Sequence, residues 1–291
     1  MIPASFDYVA PKTIRKAIAL LQQHGSHAKV LAGGHSLLPA MKLRLAAPQV
    51  LIDINRIPAL DYIKESGGFL HLGALAREAA VEESDLIKTK YPIIADTARV
   101  IADPLVRNMA TVGGNLAHGD PANDHPATML ALGAEIIATG PKGKRTIPIA
   151  SFFVDAFQTA LSPDEILTEI RVPMPKPRSG GAYMKLERKV GDFAIAGVAV
   201  QLMLEEEGNI KEAGIGLTNV GLTAIKATKA EDFLRGKKPE EATLKKAGEL
   251  AATEAQPAAD LRGPEEYKRA MIRILTYRAL KRAIARAQAA R

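Results

Sequence analysis

KVLAGGHSLLPAMKLRLAAPQVLIDI, residues 29–54, reads as a strand, a glycine turn, a helix and a second strand. KVLAG (29–33) and VLIDI (50–54) are short apolar runs bounded by turn residues, the pattern of buried strands. Ser36 stands where a helix to about Leu45 needs a cap, and Pro39 falls in that helix's first turn, where its missing N–H costs no hydrogen bond. Upstream, Thr13 caps a helix over 13–25 whose apolar face is Ile14, Ala17, Ile18 and Leu21, with Gly25 ending it. Strands alternating with helices over about the first 56 residues give a small α/β unit with parallel pairing.

Past residue 57 the pattern changes. YIKESGGFLHLGA (62–74) is a hairpin turning at Ser66-Gly67-Gly68, and the strand EIIATG (135–140) turns back at Lys142-Gly143. Helical stretches lie near 76–89, 91–102 and 125–133. MPKPRSGG (174–181) is rich in Pro, Gly and Ser without apolar periodicity, and is read as a boundary. Beyond it MKLERK, AIAGVAVQLML and IKEAGIGLTNV form a small antiparallel sheet with a Glu207-Gly208-Asn209 turn, followed by helices near 228–235, 239–253 and 264–289. The class is α+β, divided as 1–176 (subdomains about 1–56 and 57–176) and 177–291.

With 291 residues, 47% of them hydrophobic, the chain is long enough for two cores. There is no cysteine, which removes disulfides, thiolate nucleophiles and cysteine-ligated iron–sulfur clusters from this chain. No apolar run reaches the roughly 18 residues of a membrane span, and MIPASFDYVAPKT lacks the pattern of a signal peptide, so a cytoplasmic location is expected. The net charge is +7. Residues 264–291 supply +6 of it, through Lys268, Arg269, Arg273, Arg278, Lys281, Arg282, Arg286 and Arg291 against Glu265 and Glu266. One basic terminal helix on a nearly neutral body is a solvated face or a protein contact; no nucleic-acid partner is expected.

Two glycine-rich loops carry the chemistry. Leu31-Ala32-Gly33-Gly34-His35-Ser36-Leu37 joins the first strand to its helix, and Thr111-Val112-Gly113-Gly114-Asn115 is the second. Adjacent glycines let a backbone approach an anion and aim N–H groups at it, while Ser36, Thr111 and Asn115 add side-chain donors. Taken singly, each is also compatible with an ordinary turn. Gly214-Ile215-Gly216-Leu217-Thr218-Asn219 lacks the third glycine of the dinucleotide fingerprint, and Gly140 to Arg145 lacks P-loop spacing. The six histidines include no HExxH pair. His118 and His125 flank Asp120 and Asp124, but no metal site and no catalytic residues are assigned.

AGGHSLLPAMKLRLA (32–46), NMATVGGNLAHGDPANDHPA (108–127), KLERKVGDFAIAGVAV (185–200) and GLTNV (216–220) together resemble the FAD-binding medium subunits of molybdenum hydroxylases, most of all those of aerobic carbon monoxide dehydrogenases. The resemblance implies a two-subdomain FAD fold of the vanillyl-alcohol oxidase/para-cresol methylhydroxylase type, closed on one side by the C-terminal domain. It implies non-covalent FAD with its pyrophosphate on residues 31–37 and 111–115, Asp124 near the ribityl chain or flavin ring, and apolar contacts from Ile101 and Leu161. Lys185 would be a positive charge beside the flavin, although a strand-surface lysine is an equal reading. Relatives often carry Tyr or Trp where this chain has Phe193, which can pack on the ring but donates no hydroxyl. His35 stands in a context where some members of the superfold attach flavin covalently; the loop here is read as facing phosphate.

The implied function is electron exit. A molybdenum cofactor on a large molybdopterin subunit oxidises the substrate, clusters on a small iron–sulfur subunit relay electrons, and FAD on this chain passes them to an external acceptor. The implied assembly is a dimer of heterotrimers, reaching the inner face of the membrane through the complex. The alternatives are a self-sufficient FAD oxidase or reductase of the same superfold, and a non-enzymatic nucleotide-binding protein.

Overall fold

The computed structural model describes residues 2–290, so Arg291 of the basic tail lies outside the described residues. The first unit is a three-stranded parallel sheet in the order β1 (Asp7–Val9), β3 (Val50–Asp53), β2 (Ala28–Leu31), with helix α1 (Ile14–His24) packed on it. Thr13 caps α1 by accepting from Lys16 N, and Gly25 ends it at φ 53°. The helix after Ser36, α2 (Leu37–Lys42), stops short of Leu45, because Arg44 turns into the left-handed region at φ 60° and donates to Ile2 O. Ala17, Ile18, Leu20 and Leu21 close a separate small core with Val50, Ile52 and Ile54.

The second unit is a five-stranded antiparallel sheet whose order is β4 (Ile63–Ser66), β5 (Phe69–Gly73), β10 (Ile166–Pro173), β6 (Glu135–Gly140), β7 (Gly143–Pro148). A two-stranded β8 (Phe153–Asp155) and β9 (Gln158–Thr159) lies beside it. The hairpins turn where their glycines predict, but the central strand β10 carries no turn signal of its own. The stretch expected as one helix over 76–89 is two, α3 (Glu78–Glu83) and α4 (Asp85–Lys90), because Ser84 leaves helical geometry and its side chain accepts from Ile87 N. After α5 (Pro92–Arg99) and the single turn α6 (Pro104–Arg107) comes an unanticipated helix, α7 (Val112–His118), which makes the second glycine loop a helix start. α8 (His125–Leu132) is buried along nearly its whole length.

The third unit is the antiparallel sheet β11 (Ser179–Leu186), β12 (Ala196–Leu204), β13 (Ile210–Thr218), β14 (Ile225–Lys226), backed by α9 (Thr228–Leu234), α10 (Glu241–Glu254) and α11 (Glu265–Ala289). Residues 174–178 join it to β10 and carry no regular element. α8 lies directly on β13. A Cβ on Gly214 would come within 2.1 Å of Ala131 O, and one on Gly216 within 2.0 Å of Ala127 O, so only glycine permits this approach. The Gly-Ile-Gly run is therefore a packing surface.

The basic tail is not simply a solvated face. Arg286 Nη1 donates to Asp96 Oδ2 at 2.6 Å and Arg282 Nη2 to Asp96 Oδ1 at 3.1 Å, tying α11 to α5. Lys268 is 2% exposed and bonds Asp260 at 2.8 Å. Buried Asp96 carries these two arginines as its compensation, so removing one leaves a poorly paired carboxylate. Arg286→Ala should lower unfolding free energy by about 2 kcal/mol, below the range for a fully buried pair because Arg282 remains and the guanidinium is partly exposed. Urea denaturation of the purified chain checks this.

Candidate functional site

The two glycine loops meet. Gly33 lies against the turn before α7, where a Cβ would come within 2.5 Å of Met109 O and 2.8 Å of the Ala110 Cα. Asn55, just after β3, donates to Ala32 O at 2.7 Å and accepts from Arg77 at 2.7 Å, and Arg77 also donates to Met109 O. Asp53 takes the Asn55 N–H at 2.9 Å and the Tyr8 hydroxyl. Arg77 and Asn55 thus fasten one loop to the other. They are far apart in sequence and match no motif, so sequence reasoning missed them.

The loops are not equivalent donors. Among the described residues no protein acceptor takes the backbone N–H groups of Gly33, Gly34, His35, Ser36 and Leu37. Gly34 at φ 79° supplies the left-handed step in this run, and α2 adds its N-terminal end. His35 Nδ1 donates to Gly33 O at 2.9 Å, which pins its ring. Loop 111–115 instead has four of its five backbone donors taken by protein acceptors. Val112 N bonds Ala76 O, Gly113 N bonds Ala74 O, Gly114 N bonds the Thr111 hydroxyl at 3.1 Å, and Asn115 N bonds Thr111 O. Val112 is wholly buried, and a Cβ on Gly113 would strike Ala74 at 2.5 Å, so both serve packing of α7. What this loop leaves free are the Thr111 N–H and the Asn115 side-chain oxygen, the latter buried without a partner.

From Asn115 the arrangement continues inward. Asn123 donates to Asn115 O at 2.8 Å, and its neighbour Asp124 is 5% exposed. Asp124 accepts from the Tyr183 hydroxyl at 2.5 Å and from Lys185 Nζ at 3.1 Å. Lys185 is not on the strand surface. Its side chain is 1% exposed and also donates to Val100 O at 2.6 Å and Asp192 O at 3.0 Å, with Glu187 at 3.2 Å. Burial raises the Asp124 carboxyl above its ordinary range, against the pull of Lys185, and burial pushes the Tyr183 hydroxyl well up. Ile101, 8% exposed, follows the Val100 carbonyl that Lys185 holds. Phe193, 47% exposed, follows Asp192. Leu161 lies just past β9, half-buried on the second unit's core. Glu78 and His125, both fully buried and 2.8 Å apart, brace α3 against the start of α8 next to Asp124.

Leu161 apart, the residues nominated from the sequence therefore form one connected set. A cleft of about 370 Å³ beside Gly133, Pro173 and Gln201 shares no residue with it. Among the described residues no group of histidines and carboxylates suits a metal. Tyr183→Phe removes the hydroxyl donor from a buried carboxylate. It should cost about 1–3 kcal/mol in chemical denaturation, the expense of an unsatisfied buried acceptor.

Residues 4–175 match the family model described as the FAD binding domain in molybdopterin dehydrogenase, and residues 181–283 match the CO dehydrogenase flavoprotein C-terminal domain. The chain is 46% identical to the carbon monoxide dehydrogenase medium chain of Hydrogenophaga pseudoflava, over 98% of this chain and 99% of that one. It is 34% identical to the glyceraldehyde dehydrogenase medium chain of Sulfolobus acidocaldarius, over 97% and 99% respectively. A solved structure of the H. pseudoflava carbon monoxide dehydrogenase superposes with a TM-score of 0.96 at 47% identity, covering 98% of this chain and 99% of that one. The chain belongs to the flavoprotein family that joins the FAD-binding domain of molybdopterin dehydrogenases to the CO dehydrogenase flavoprotein C-terminal domain.

Proposed function

We propose that this chain is the FAD-carrying, electron-exit subunit of a molybdenum hydroxylase, acting in complex with a large molybdopterin subunit and a small iron–sulfur subunit. The observation that carries the reading is the row of uncommitted N–H donors at 33–37 beside a helix start, in a chain whose medium-subunit relatives match it end to end. FAD, when bound, supplies the step between one-electron donors and an external acceptor. This chain's residues would do the holding. The N–H groups of 33–37 would take phosphate, and Gly33, packed on 109–111, would keep that row against the second loop. Asn115 Oδ1 and Asp124 would accept from hydroxyl groups of the chain linking phosphate to ring. Ile101 and Leu161 would give apolar contact, and Phe193 would pack on the ring without a hydroxyl of its own. Lys185 would place a positive charge near the ring, already hydrogen-bonded to Asp124 and to two backbone carbonyls.

Residues 1–176, as two subdomains, would hold the cofactor, and 177–291 would close over one side. FAD is non-covalent in this reading, because the His35 ring is turned onto Gly33 O and the loop around it is a phosphate cradle. The absence of cysteine places every iron–sulfur cluster on a partner. We further propose a dimer of heterotrimers in the cytoplasm, meeting the inner face of the membrane through the complex; no described helix is long and apolar enough to cross it. Carbon monoxide and an aldehyde are two candidate substrate classes among several, since relatives are named for carbon monoxide, glyceraldehyde, nicotine and caffeine.

Ser36→Asp puts a carboxylate onto the free donors without disturbing the glycines. It should leave the fold intact while weakening FAD binding about a hundredfold, since a charged cap both repels phosphate and occupies its donors. Titration of apoprotein with FAD, followed by quenching of flavin fluorescence, reads it; unchanged affinity would remove loop 31–37 from the site. Acid precipitation should release all yellow colour from the wild-type chain. The FAD-loaded chain alone should oxidise neither carbon monoxide nor an aldehyde, and co-expression with the large and small subunits should yield one complex whose flavin bleaches on adding substrate. Turnover of either substrate by the isolated chain would replace this reading with the self-sufficient flavoenzyme.

A further inference from the structure

Between β11 and β12 the chain leaves the sheet as an irregular segment, residues 187–195. Its tip is open: Val190 is 94% exposed and the Phe193 ring 47%. Its root is fixed, and one residue does most of the fixing. The Asp192 carboxylate accepts from Arg188 at 2.8 Å, from Arg262 at 3.1 Å and from the Phe193 N–H at 2.8 Å. The Asp192 backbone carbonyl accepts from Lys185 at 3.0 Å. Gly191, at φ 82°, sits on the turn after Ile101, where a Cβ would come within 2.5 Å of Ala102 O.

Arg262 is the distant member. It belongs to the turn at 260–263, where Asp260 Oδ1 takes the Arg262 N–H at 2.8 Å. The 260–263 turn is itself secured by buried Lys268, which bonds Asp260. From there the guanidinium reaches Asp192 and stands 5.6 Å from the centre of the Phe193 ring. Its Nε is buried and without an acceptor. Exposed ion pairs contribute little, and Arg188, half exposed, is of that kind. The Asp192–Arg262 pair differs, with side chains 9% and 24% exposed and a shared aromatic neighbour. Arg188 first, with Arg262 and the Phe193 N–H, holds the Asp192 carboxyl down to about 2, so the pair stays charged at any pH the protein meets.

We propose that Asp192 and Arg262 are positioning residues, a clasp from the C-terminal domain that holds segment 187–193 on the 100–102 turn and keeps the Phe193 ring where it limits escape of the flavin. The inference rests on the FAD reading above. Its reach is longer than a local turn: the 260–263 segment, remote in sequence from every nominated cofactor residue, sets the lifetime of bound FAD.

The test compares FAD release from the full chain in wild type, Asp192→Asn, Arg262→Gln, Arg262→Lys and Arg286→Ala, the last loosening the α5–α11 tie elsewhere. Release is followed as recovery of free-flavin fluorescence after dilution, and each apoprotein is melted separately. The clasp predicts that Asp192→Asn and Arg262→Gln release FAD about tenfold faster, as for loss of a charged hydrogen bond, with apoprotein melting near wild type. Arg262→Lys should recover part of the loss, and Arg286→Ala should melt lower yet release FAD within about twofold of wild type. Unchanged release in both clasp variants overturns the proposal, as does equal acceleration in Arg286→Ala, which would mean general loosening. Should the clasp variants misfold, hydrogen exchange on the wild-type chain decides: added FAD should protect 188–193 and 260–263 together, and protection absent from 260–263 overturns the clasp. A wild-type chain that binds no FAD defeats the flavin reading itself; binding that the variants leave untouched defeats the clasp alone.

Discussion

A lysine ammonium taken out of water must find acceptors, and the buried Lys185 finds them on three separate stretches of chain. It collects the carboxylate of Asp124 at the start of α8, the carbonyl of Val100 at the end of α5 and the carbonyl of Asp192 in the segment beyond β11. Those stretches carry Asp124, Ile101 and Phe193. One desolvated charge thus fixes the mutual placement of Asp124, Ile101 and Phe193. Asp124 answers to the same constraint from the other side, with the Tyr183 hydroxyl on its second oxygen and the Glu78–His125 pair bracing the helix turn it begins.

The glycine-loop end is organised by a different distribution of hydrogen bonds. Two glycine pairs look alike in the sequence but divide the work. In the first, the backbone turns its donors outward and no protein group claims them. In the second, four of the five donors are taken by Ala74, Ala76 and Thr111, and Gly113 lets α7 pack against the strand end at Ala74. A motif defined by residue type cannot distinguish these cases, because the difference lies in which backbone is opposite.

That contrast marks how far the sequence could be read. Apolar periodicity and turn residues located α1, the hairpin glycines and the antiparallel C-terminal sheet, all set by local chemistry. α7 escaped because Val112-Gly113-Gly114 has poor intrinsic helix propensity; its start is made by Thr111 and by bonds to residues more than thirty positions earlier. The break at Ser84 escaped because a serine within an apolar-periodic run signals a cap only once its side chain is seen to accept. β10 escaped although Glu169-Ile170-Arg171-Val172 alternates, because its partners β5 and β6 are set by contacts distant in the chain and no hairpin turn joins it to either. In the candidate site, the glycine loops were legible from residue pattern, while Asp124 was nominated only through the family resemblance. Arg77, Asn55 and Tyr183 were not legible, since each matters through a partner distant in the chain.

The seat of α8 on β13 adds a mechanical property. Where Ala127 and Ala131 carbonyls rest on Gly216 and Gly214, no side chain lies between helix and strand. Such a joint has no rotamers to relax and little free volume to compress. A push on the C-terminal sheet is therefore passed undamped to the helix whose first turn follows Asp124. α8 acts as a stiff rod between the C-terminal sheet and the charge cluster of Asp124 and Lys185.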